Sequence, residues 1–195
     1  SFSIGWNAVE GATSYEVSLR ERPAPYANPE QACVLREDFA KCWSKSTSLS
    51  SIANKLDKYP AKPGWTGSRL FTSSNYLKMG QGSNMGELTT PMLDTPLADG
   101  LTIVLTLTPF GSSSKMKGSV SILLKSGNMQ GSYDADGAQT LIFTTPSIEE
   151  AYQVQLSPST ICYISRFEVY DGVFSSEQLG IDDDDEDSGK QSIPM

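Results

Sequence analysis

Leu101-Thr102-Ile103-Val104-Leu105-Thr106-Leu107 alternates with period two: Leu, Ile, Leu and Leu fall on one face and mostly Thr on the other. Side chains of an extended strand point alternately to its two faces, so this run reads as a strand with one face in a core. Shorter runs of the same kind lie around it, at residues 34–39, 69–71, 76–79, 86–88, 120–125, 140–144, 152–156 and 162–170. Gly, Ser, Asn, Asp and Pro separate them. Many short strands at this spacing predict an all-β fold, a sandwich of two antiparallel sheets. The one helical stretch expected is residues 44–58, where Leu49, Ile52 and Leu56 recur at helical spacing, Ser48 is the cap, and Pro60 and Pro63 follow.

The flanks read differently. Phe2, Ile4 and Trp6 alternate with polar or small residues, Gly11-Ala12-Thr13-Ser14 turns the chain, and Tyr15, Val17 and Leu19 alternate again. Residues 1–19 therefore read as a hairpin. Pro23, Pro25 and Pro29 among polar residues make 20–32 an extended linker. At the other end Asp182-Asp183-Asp184-Asp185-Glu186-Asp187 heads a segment too charged to fold alone, so 182–195 reads as a disordered acidic tail. The expected division is 1–30, 31–181 and 182–195.

That acidic run dominates the formal net charge of −8. Residues 1–181 carry 17 acidic and 14 basic side chains. A nearly neutral body with no basic stripe offers nothing to neutralise phosphates, so nucleic acid is not an expected partner. No apolar run is long enough to cross a membrane as a helix, and direct membrane insertion is not expected either.

The chain has no histidine. Ser-His-Asp and Cys-His catalysis are thereby excluded, as is imidazole as general base or metal ligand. Paired carboxylates could still cleave glycosidic bonds, but Glu149-Glu150 and Asp134-x-Asp136 sit in expected turns, and neighbours in sequence are not the opposed pair that chemistry needs. The expectation is a non-enzyme. Cys33, Cys42 and Cys162 are an odd number without CxxC spacing. A Cys33–Cys42 or a Cys42–Cys162 bridge is conceivable, and buried thiols are the simpler account.

Two resemblances add to this. The string from Trp6 to Val17 resembles the B–C hairpin of a fibronectin type III domain, covering two of that family's seven strands. Glu37-Asp38-Phe39, Leu56-Asp57-Lys58-Tyr59, Gly64-Trp65-Thr66-Gly67-Ser68, Leu77-Lys78-Met79-Gly80 and the Gly86–Asp94 stretch follow in order. Together they resemble a jelly-roll module of bacterial surface proteins, similar to galactose-binding-like and MAM-like sandwiches. The closing stretch from Phe167 to Leu179 also resembles the last strand of laminin-G-like lectins. These resemblances imply a jelly roll preceded by a partial fibronectin-like hairpin, in a secreted or outer-surface bacterial protein that binds a glycan. The alternative they leave is a structural or adhesive module that docks on a surface protein. No cofactor is implied beyond a structural calcium at Glu37 and Asp38. Such modules carry an Asp in the last strand where this chain has Ser165.

The candidate ligand site is Trp65 in its Gly-Trp-Thr-Gly turn, with Tyr59 and Tyr76 as further rings and Arg69 as hydrogen-bond donor. Aromatic rings pack on the apolar faces of sugars, and planar guanidinium suits hydroxyl recognition. Against that, Trp65 could plug one end of the core, and Trp43 is expected to pack beside the first strand.

Overall fold

The computed structural model describes Gly11, residues 28–181 and residues 190–193. The hairpin expected over residues 1–19, Gly11 apart, and the acidic run 182–187 lie outside the described residues. In chain order the strands are β1 (Cys33–Glu37), β2 (Thr66–Ser68), β3 (Leu70–Ser73), β4 (Tyr76–Met79), β5 (Glu87–Thr89) and β6 (Leu101–Pro109). They continue as β7 (Lys115–Leu123), β8 (Met129–Asp136), β9 (Gln139–Thr144), β10 (Gln153–Pro158), β11 (Cys162–Asp171) and β12 (Lys190–Ser192). A five-stranded sheet runs β2-β5-β10-β7-β8. A seven-stranded sheet runs β12-β9-β6-β11-β4-β3, with β1 also paired to β11. Every pairing is antiparallel except β12 on β9, which is parallel. The fold is the expected all-β sandwich of two antiparallel sheets.

The period-two reading of β6 holds. Leu101, Ile103, Leu105 and Leu107 are buried in the main core with Val120, Val154, Leu156 and Phe167. Val104 interrupts the Thr face because it belongs to a second cluster outside the sheet, with Ala32, Ile142, Tyr170 and Phe174. That cluster covers one end of the outer face of the seven-stranded sheet. The other end is left for the residues described below.

Three expectations need correction. Residues 44–58 contain no α-helix; only a 3-10 stretch, Ala53–Lys58, forms, and it is kinked at Lys55. The serine hydroxyls compete for the backbone: Ser44 Oγ donates to the Ser46 carbonyl, and Ser48 Oγ to that of Ser50. The N–H groups of Ser44, Ser48 and Ile52 instead donate to carbonyls of Ser73, Thr72 and Leu70 along the free edge of β3. Leu49, expected on the apolar stripe, is 89% exposed.

The expected strand at 69–71 is found as β3, Leu70–Ser73, and its first residue, Arg69, is the corner that leads into it. Arg69 takes a φ of 48°, and there the chain leaves the five-stranded sheet at β2 and enters the seven-stranded one at β3. Asp134 and Asp136 are not in a turn but on β8, opposite Lys117 and Lys115 on β7. Lys117 Nζ lies 2.6 Å from Asp134 Oδ2. The strand was hidden because its inward positions include Gly131 and Ala135, which carry little hydrophobic signal. Finally, the far end of the expected tail is ordered: Lys190–Ser192 forms β12 and Ile193 is buried. Ile193 packs where Gly131 leaves room, since a β-carbon there would come within 3.0 Å of its Cγ1. Nearer the start, Pro29–Ala32 closes the linker as one helical turn, with Asn28 Oδ1 accepting from Glu30 N.

Gly100 opens β6 at a φ of 129°, a conformation closed to L side chains, and a β-carbon there would strike the Thr145 carbonyl oxygen. Gly100→Ala is expected to lower stability by about 1–3 kcal/mol. A urea melt of the variant beside the parent chain would read the change.

Candidate functional site

The residues picked from sequence are not brought together. Trp65 is 3% exposed, held edge-on between Phe39 (centroids 5.8 Å apart) and Phe167 (5.3 Å) in the main core. It is a core ring, not a platform. Tyr59 is half-buried against the same core at the end of the 3-10 stretch. Arg69 is exposed at the corner, its Nη1 3.4 Å from the Met85 carbonyl. Tyr76 is partly exposed at the β3–β4 turn with a φ of 66°. Leu70 pairs with Met79 at one end of this hairpin and Ser73 with Tyr76 at the other, so Arg69 and Tyr76 stand roughly 10 Å or more apart.

Glu37 and Asp38 likewise diverge, Glu37 closing β1 and Asp38 lying just past it. Glu37 is buried, and its two oxygens accept from Phe39 N at 3.0 Å and Ala61 N at 2.6 Å. Asp38 is exposed and accepts from Ala40 N at 2.9 Å. Glu37 thus ties the strand end to the loop before Trp65. Among the described residues no three Cys, Asp or Glu side chains converge as a cation site. Two further acids are also engaged: Glu150 accepts from Lys125 N and Ser126 N, closing the β7–β8 turn. Asp171 accepts from Leu97 N and Ala98 N, both at 2.8 Å. Asp171 lies at the back of a cleft of about 380 Å³ with Tyr152, Leu97, Lys62 and Asp94 on its walls.

The cysteines are free thiols. Burial pushes Cys42 and Cys162 each up to about 12, so neither is a thiolate nucleophile at neutral pH.

What the structure assembles instead is a strip on the outer face of the seven-stranded sheet. The register sets Phe71 opposite Lys78, Lys78 opposite Tyr163, and Tyr163 opposite Thr108, one row across β3, β4, β11 and β6. Their strand neighbours Leu70, Leu77, Met79, Cys162, Ile164 and Leu107 are core residues, so this row points outward. Phe110, 37% exposed, sets its ring 5.8 Å from Tyr163. Lys78 Nζ lies 4.2 Å from the Phe110 centroid and 5.8 Å from that of Phe71. Trp43, expected to pack, is 54% exposed and bridges to Ser73 at the outer edge of β3. Aromatic faces beside a cation can stack on an apolar ring surface while hydrogen-bonding its substituents.

Further along β11 the same face carries an ion cluster. Glu168 Oε1 pairs with Arg36 Nε at 2.9 Å; Oε2 accepts from Arg166 Nη2 and Tyr170 Oη, each at 2.6 Å. Arg36 also grips Glu30 with both terminal nitrogens. Burial alone would raise the Glu168 carboxyl, but the bonds from Arg166 and Tyr170 and the charges of Arg166 and Arg36 outweigh it and hold it below its usual range.

Sequence reasoning missed the strip for a definite reason. Alternation does put Tyr163 and Lys78 on the faces opposite their buried neighbours, and that signal was readable. Which strands lie side by side, and hence which outward residues form one row, depends on long-range pairing.

No family model matches the chain, and no curated protein matches it. A solved structure described as BiXyn10A CBM1 APO is similar at a TM-score of 0.42 and 10% identity, over 71% of this chain and 97% of that one.

Proposed function

We propose that this chain is a non-catalytic carbohydrate-binding module of a secreted or cell-surface bacterial protein, and that the Phe71–Lys78–Tyr163 row with Phe110 and Trp43 is its binding face. The observation that carries the reading is the Phe110–Tyr163 ring pair, centroids 5.8 Å apart and partly open to water beside Lys78, with the buried Phe71, 3% exposed, backing the row. Large rings left partly in water side by side are unusual on a folded surface, and sugars are partners whose flat apolar faces fit them. The jelly-roll and fibronectin-like resemblances supply the setting. The absence of histidine supports a binding rather than a catalytic role. So does the use of Glu150 and Asp171 to hold backbone N–H groups.

A glycan array with the labelled chain, run with calcium and with chelator, tests the reading. The expected result is reproducible binding that Phe110→Ala weakens about tenfold or more while leaving the melting temperature near that of the parent, since stacking one ring contributes on the order of 1–2 kcal/mol. Loss of signal in chelator would restore a role for Glu37 and Asp38. A blank array from folded protein would instead favour the adhesive reading, in which the strip meets a protein surface.

A further inference from the structure

We infer that the carbohydrate taken by this face carries an anionic substituent, a carboxylate or a sulfate, seated against the Lys78 ammonium. The inference rests on the glycan-binding reading above and narrows it to acidic sugars. Lys78 is only 6% exposed. Lysines that deep are ordinarily paired with an acid, because a cation withdrawn from water must recover its lost solvation. Among the described residues no carboxylate pairs with it. Its neighbours are the rings of Phe110 and Phe71.

Ring faces attract an ammonium but leave its three N–H donors without oxygen acceptors. The residues flanking it in the row, Phe71, Tyr163 and Thr108, are uncharged. The acid further along the same face of β11 is Glu168, and both its oxygens are committed to Arg36, Arg166 and Tyr170. Among the described residues the row therefore holds an uncompensated positive charge, in a chain whose formal charge is −8. Rings to hold the sugar face and one cation to meet an anionic oxygen are together the complement of an acidic saccharide. Burial also lowers the Lys78 pKa, and an anion placed beside it would push that value back up.

Calorimetric titration of the chain, Lys78→Met and Lys78→Arg tests this with three probes: a galacturonic-acid hexasaccharide, a sulfated cellohexaose and plain cellohexaose. Lys78→Met keeps the length and apolar stem, and its melting curve certifies the fold. The expected result is that one anionic probe binds about tenfold or more tighter than the neutral one, with affinity falling as salt rises. Lys78→Met should remove that advantage and leave weak cellohexaose binding unchanged, whereas Lys78→Arg should retain most of it. Which anionic probe wins assigns carboxylate or sulfate. The Lys78 Cε resonance should also shift on adding that probe and not on adding cellohexaose. Equal affinity for all three probes, or an anionic advantage that survives Lys78→Met, overturns the inference while leaving the face a glycan site. No binding of any probe overturns both.

Discussion

Trp65→Ala is expected to lower the unfolding free energy by about 3–5 kcal/mol, the range for deleting a fully buried aromatic side chain. The ring sits edge-on between Phe39 and Phe167 and touches the core from the loop that enters β2. Nothing nearby can collapse into the space, because Glu37 pins that loop through Ala61 N and Asp57 pins it again through Gly64 N. Trp65→Phe should cost much less than its lost volume suggests. The indole N–H has no partner in the structure, so the smaller ring also removes a buried unsatisfied donor. Urea denaturation of both variants measures this. A second consequence separates core from site: Trp65→Ala protein that remains folded should bind glycan as the parent does. If instead it binds nothing while melting normally, Trp65 is a ligand platform after all.

Glu168→Gln should destabilise the chain by about 3 kcal/mol, near the lower end for breaking a buried ion pair. The lower end applies because Arg36 and Arg166 keep 46% and 33% of their side chains exposed, so their orphaned charges are partly hydrated. The sign with pH follows from linkage. The folded carboxyl titrates below its ordinary 4.5, so its contribution is complete above that value and is lost as pH falls through the folded pKa. Urea midpoints followed from about pH 7 to about pH 3 should therefore fall more steeply for the parent chain than for Glu168→Gln below pH 4.5. Parallel acid limbs for the two proteins would mean that the cluster is not what sets acid stability. Neither Glu168 nor its partners contact the Phe71–Lys78–Tyr163 row, so any acidic glycan should bind Glu168→Gln no more weakly than the parent.

The all-β architecture and most strand positions were legible because they follow from local physics. Period-two alternation is dictated by backbone geometry, and much of β6, β4 and β11 carries it in the order of apolar and polar residue types. The exclusion of imidazole chemistry was legible too, since it needs only the composition. Local reading failed where two local forces compete. Around Leu49 the apolar spacing favoured a helix, but serine hydroxyls and the free edge of β3 captured the backbone. It also failed where a strand is built from small inward residues, as in β8.

Whether Trp65 is buried and Trp43 exposed was beyond local reading, because both follow glycine or cysteine in short irregular stretches with no alternation to orient them. The sequence by itself determined most of the strands, because alternation depends on residues within one short window, and the absence of histidine chemistry, because that needs only the composition. Only the tertiary structure decided that Phe71, Lys78, Tyr163 and Thr108 form one row and that no acid among the described residues pairs with Lys78. That row joins residues up to 92 positions apart in the chain through the β3–β4, β4–β11 and β11–β6 registers. Register is a collective property of paired strands, set when two sheets close over a shared core.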